Sequence, residues 1–105
     1  MAVGIETVSA KASAYAAQVR RVMPVNKVYI FGSYAKGNAS ELSDVDICFF
    51  LDSFNGKRRV DIIKELLKLT IGYDDVGFEP VVLPSSELNN GNPFAMEVIS
   101  TGIEI

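Results

Sequence analysis

Apolar residues recur at three- and four-residue spacing between positions 6 and 23, at Val8, Ala12, Tyr15, Ala16, Val19 and Met23. That period predicts an amphipathic helix. Its alanines favour helix, and Pro24 stops it. Lys11, Arg20 and Arg21 fall on its solvent side. Residues 27–31, β-branched and aromatic, predict a short strand broken by Gly32-Ser33. Residues 33–36 fit one helical turn ended by Gly37-Asn38, and 38–43 form a polar loop. Residues 44–51 open with Asp44-Val45-Asp46 and then run apolar without alternation, as a strand covered on both faces does.

The pattern then returns to helical spacing over residues 57–69. The predicted stripe is Val60, Ile63, Leu66, Leu67 and Thr70 or Ile71, with Gly72 as the stop. Residues 77–83 predict a third strand. Pro80 consigns it to a sheet edge or a bulge, because proline cannot donate a ladder hydrogen bond. Asn92 caps a last helix over 93–100 that opens on Pro93. Residues 103–105 have strand spacing. Helices interleaved with strands predict an α/β (α+β) domain with one small mixed sheet flanked by helices, and the length fits a single domain over residues 1–105.

Charge and composition narrow the possible chemistry. The net charge of −3 argues against bulk nucleic-acid binding, which asks for a basic face; a local pocket for one nucleotide is compatible with it. The sequence has no histidine, which excludes histidine-based triads and histidine zinc sites. A single cysteine, Cys48, lies inside an apolar run. It reads as a core residue and fits a reducing compartment. No run is long and apolar enough to span a bilayer, and no signal pattern is evident. The expectation is a cytoplasmic protein without a membrane partner.

The chemistry centres on residues 28–51. Side chains two apart on a strand share a face, so Asp44 and Asp46 point the same way, with α-carbons roughly 6–7 Å apart. Two carboxylates that close repel unless a cation joins them or one is protonated. Mg²⁺, which takes a few carboxylates together with water and phosphate oxygens, suits them. Gly32 lets the backbone approach a ligand, and the amides after it, with the Ser33 hydroxyl, can donate to phosphate oxygens. A phosphate cradle beside a metal pair fits phosphoryl or nucleotidyl transfer.

Gly32-Ser33, ten residues, then Asp44-Val45-Asp46 resembles the polymerase-beta-like nucleotidyltransferases, and FGSYAKGNASELSDVDI resembles their minimal members, termed MNT. The resemblance implies that family's fold. It also implies an enzyme that uses two Mg²⁺ ions and moves AMP from ATP to a hydroxyl. Asp44 and Asp46 would hold the metal, Gly32 and Ser33 the triphosphate. A third carboxylate belongs on the third strand: Glu79, in GFEPVVL, stands where the family has aspartate, and Asp75 is the alternative. Tyr34 replaces the arginine usual after Gly-Ser and can stack on a base or pack. Lys36 is placed to neutralise phosphate, or is simply solvated. Lys57, Arg58 and Arg59 can face the triphosphate or begin a surface helix. MNT proteins resemble the antitoxin half of HEPN–MNT modules, which implies a helical HEPN-type partner, an acceptor tyrosine on it, and a homo- or hetero-oligomer. The competing expectation is a binding module that neutralises its partner by contact, without turnover.

Overall fold

All six apolar positions of the first helical pattern are buried. Val8, Ala12, Tyr15, Ala16 and Val19 lie on α1 (Ile5–Val22), and Met23 follows it. The structure, a computed structural model, describes residues 5–37, 44–73 and 76–105. The chain continues through β1 (Val25–Phe31), the single turn α2 (Ser33–Lys36), β2 (Val45–Leu51) and α3 (Arg59–Lys68). It ends with β3 (Phe78–Pro84), α4 (Pro93–Thr101) and β4 (Ile103–Glu104). Short 3-10 turns follow α3 at Leu69–Gly72 and β3 at Ser85–Leu88.

The described strands form one sheet in the order β3-β2-β1-β4. β1 runs antiparallel to both β2 and β4, whereas β2 and β3 are parallel. The sheet is therefore mixed, as the interleaved pattern predicts. β3 is an edge strand, the place where Pro80 is tolerated. Asn92 caps α4 through its side-chain oxygen, which accepts from the amides of Phe94 and Ala95 at 2.9 and 3.1 Å.

α1 and α3 cover one face of the sheet. Val45, Ile47, Phe49 and Leu51 of β2 meet Val8, Tyr15 and Val19 of α1 and Ile62 and Leu66 of α3 there. Tyr15 ties the layers together. Its ring packs edge-on to Phe49 and stacks on Phe78, and its hydroxyl donates to the Leu66 carbonyl at 2.6 Å. α4 covers part of the other face, with Ala95 and Val98 against Tyr29, Cys48, Phe50 and Leu83.

One helix is turned from its expected orientation. α3 buries Ile62 and Leu66 and packs Ile63 against the core, as does Leu69 of the turn after it, leaving Val60 and Leu67 of the helix and Ile71 of the turn exposed. Apolar residues occur around more than half of this helix, so two stripes compete. The one at 62, 66 and 69 docks, where Tyr15 hydrogen-bonds the Leu66 carbonyl. The strand starting near residue 27 also begins earlier, at Val25.

Candidate active site

β2 alternates, so Asp44 just ahead of it and Asp46 within it share the face that carries Cys48 and Phe50. The Val45 amide donates to the Gly77 carbonyl at 2.7 Å and fixes the start of β2 against the approach to β3. From there the parallel register sets Asp46 opposite Glu79, while the antiparallel register sets Phe31 opposite Asp46. Phe31, Asp46 and Glu79 thus form a row across three strands on one face. The acidic part of the row carries exposed Glu79, with exposed Asp44 beside it, while Phe31 packs against α4.

The carboxylates sense one another. Glu79 is held above the ordinary carboxylate range, first by hydrogen bonding with Asp46, then by the negative charge of Asp44, with a smaller effect of burial. Carboxylates placed this way supply hard oxygen donors, the kind a divalent cation such as Mg²⁺ takes. Among the described residues no group of three acidic, histidine or cysteine side chains converges closely enough to hold a metal ion as it stands. Like charges held this close without a cation disfavour one another's ionised form, which is the direction of the Glu79 shift.

Two glycines make room for the acids. Gly32 has φ 75° and ψ −149°, a region that glycine alone occupies readily. A Cβ there would collide with Oδ2 of Asp46. Gly77 plays the matching part at Asp44, whose Oδ1 would lie 2.7 Å from an added Cβ. The glycine turn is therefore built against the acid pair. Ser33 opens α2 immediately beyond it, and the Lys36 amide donates back to the Gly32 carbonyl at 3.0 Å.

The remaining expected residues divide. Tyr34 is buried among the residues under α1. Of its two considered roles, packing matches this placement, because a buried ring offers no open face to a base. Lys36 reaches α4 instead, with its ammonium 3.4 Å from Glu97. Lys57, Arg58 and Arg59 lie beyond the far end of β2, roughly 20 Å from its acidic end at strand rise. Lys57 pairs with Glu65 and Arg58 with Asp61, so this cluster is not brought to the acids and the surface-helix reading stands. Asp75 lies outside the described residues. Two hollows on the surface also lie at that far end, one of about 340 Å³ bounded by Val22, Lys57, Glu65, Lys68 and Leu69.

Cys48 is buried, and burial pushes its thiol up to about 12, which makes it an inert core group. Gly77 was not singled out from the sequence. Its only signal there is a glycine two residues ahead of the strand glutamate.

The nucleotidyltransferase domain matches residues 14–93, a span that contains the glycine turn, both aspartates and Glu79. The chain belongs to the nucleotidyltransferase domain family. A crystal structure from Sulfolobus solfataricus, described as a "putative nucleotidyltransferase", has the same fold with a TM-score of 0.65. The two are 23% identical, and the match covers 89% of this chain and 74% of that one. No curated protein matches. Membership of the family makes nucleotidyl transfer the reaction class. Among the described residues no helix is long and apolar enough to cross a membrane.

Proposed function

We propose that the chain is an Mg²⁺-dependent nucleotidyltransferase that moves AMP from ATP to a hydroxyl, and that the hydroxyl belongs to a tyrosine of a helical, HEPN-type toxin for which this chain is the antitoxin. The observation that carries the reading is the acid row, Asp46 opposite Glu79 with Asp44 alongside, built against a glycine turn.

In this reading Gly32 and Ser33 hold the triphosphate through backbone amides and the Ser33 hydroxyl. Asp44, Asp46 and Glu79 hold Mg²⁺, which when bound neutralises phosphate charge and makes the acceptor hydroxyl more acidic. The acceptor oxygen forms a bond to the α-phosphorus. The bond from that phosphorus to the bridging oxygen breaks, and pyrophosphate leaves with the electron pair. Glu79, the third carboxylate of the row, is suited to help activate the acceptor hydroxyl, whose proton passes to it or to water. The open setting of the row supports a macromolecular acceptor.

The test is incubation with α-labelled ATP and Mg²⁺, with and without the helical partner purified alongside. Label is expected on the partner and should be lost in Asp44→Asn/Asp46→Asn. Tight partner binding without label, unaltered by those substitutions, would instead establish neutralisation by contact alone.

A further inference from the structure

The acid row ends in an aromatic pair. Phe31 shares its face with Asp46, and Phe94, near the start of α4, meets Phe31 edge-on, with ring centroids 5.5 Å apart and planes at 89°. Ala95 and Val98 of the same helix are buried, but Phe94 remains 40% exposed. A large ring left open at the rim of a charged site invites explanation, because burying it deeper would be favourable.

The ring stands on a fixed base. The Asn92 side chain accepts from the Phe94 amide at 2.9 Å and donates to Glu87 at 3.0 Å. The Lys36–Glu97 pair ties α4 to the turn that follows Gly32. The aromatic ring and the glycine turn are therefore neighbours in the fold.

We infer that Phe94, backed by Phe31, is the platform on which the base of the bound nucleotide stacks. The inference rests on reading the acid row as a nucleoside triphosphate site. Four arguments carry it. Phe31 stands directly opposite Asp46, with α-carbons about 5 Å apart, and Phe94 is one ring contact further along the row. A ribose bridges that gap between an α-phosphate at the acids and a base at the ring. The edge-on contact with Phe31 uses an edge rather than both faces of the pair, which leaves a face for offset stacking. Finally, Tyr34, the aromatic next to the glycine turn in sequence, is buried and offers no such face.

Stacking on a phenyl ring reads base area rather than base identity. The site therefore accepts purine nucleoside triphosphates broadly, with ATP and GTP bound alike and pyrimidines more weakly.

The chain contains no tryptophan, so Phe94→Trp installs a sole tryptophan, excited selectively over the tyrosines, at the platform. Its emission is expected to be quenched by ATP in Mg²⁺ and not by inorganic tripolyphosphate. In calorimetric titrations, Phe94→Ala should weaken ATP roughly 10- to 100-fold and leave tripolyphosphate unchanged, while Phe94→Tyr should retain ATP affinity. Circular dichroism checks that each variant is folded. Equal weakening of both ligands, or of neither, overturns the platform and leaves the triphosphate site standing. Wild-type protein that binds neither ligand overturns both readings.

Discussion

β2 presents two very different faces. Val45, Ile47, Phe49 and Leu51 are wholly enclosed between the sheet and the α1–α3 layer. On the opposite face Cys48 and Phe50 are equally buried under α4, but Asp46, two residues earlier, lies past that cover beside exposed Asp44 and Glu79. The same backbone thus serves stability on one face along its full length and chemistry on the other at one end. The extent of the covering helix makes the difference. Where α4 stops, carboxylates keep enough water to stay polar, and β2 holds them in place through seven paired residues across its two ladders. Mutual repulsion among the acids opposes folding, while the apolar layer behind them supplies the compensating stability.

The contrast can be broken from either side. The largest effect on stability is expected at the enclosed face. Phe49→Ala removes a fully buried ring and its edge contact with Tyr15, and should cost about 3–5 kcal/mol, measured by urea denaturation. Such a loss would leave a domain of this size marginally folded. If Phe49→Ala lowers stability by less than a surface substitution does, the enclosed face is not the source of stability.

Asp46→Asn tests the open face with the opposite signature. Nucleotidyl transfer should fall roughly 10²–10³-fold, since the lost charge stabilisation is worth several kcal/mol. Thermal stability should hold or rise, because Glu79 loses a like-charged neighbour. A marked loss of stability would show that Asp46 is a structural residue.

Gly32→Ala joins the two readouts. The backbone there lies where only glycine is at ease, a strain of about 1–3 kcal/mol for another residue, and the added methyl displaces the Asp46 carboxylate. Activity should drop along with a modest loss of stability. Gly32→Ala with full activity would separate the turn from the acids.

The last test is a pH dependence on the alkaline side. Burial raises the Cys48 thiol to about 12 and lifts the Tyr15 phenol as well. Both are neutral in the fold, whereas unfolded chains ionise them from about pH 8.5 and 10. Their stabilising contribution is thus complete below about pH 8.5 and is lost as pH climbs toward the folded values, at up to about 1.4 kcal/mol per pH unit for each group. Cys48→Ala should delay the onset of that loss in urea titrations at pH 8–11.

Legibility in the sequence followed how many solutions each pattern allowed. α1 has a single apolar stripe, and all of its expected positions are buried. α3 has apolar residues around most of its circumference, so periodicity left two orientations and docking against Tyr15 selected the one at Ile62 and Leu66. Asp44 and Asp46 declared themselves by strand alternation. Tyr34 had two roles open, because neighbouring residues do not reveal which side of a short turn meets the core. Phe94 carried no signal at all, since its importance lies in meeting a residue more than sixty positions earlier.

The chain by itself determined the local devices: the helix stops, the edge-or-bulge restriction that Pro80 puts on β3, the cap at Asn92, and the spacing of a glycine turn from two acids. These depend on backbone preferences and side-chain alternation, which act over a few residues. Tertiary structure alone decided that Glu79 stands across from Asp46, that Gly77 yields space to Asp44, and that Phe94 closes the row at Phe31. Each depends on the register at which distant segments dock, and register is set by the whole buried surface at once.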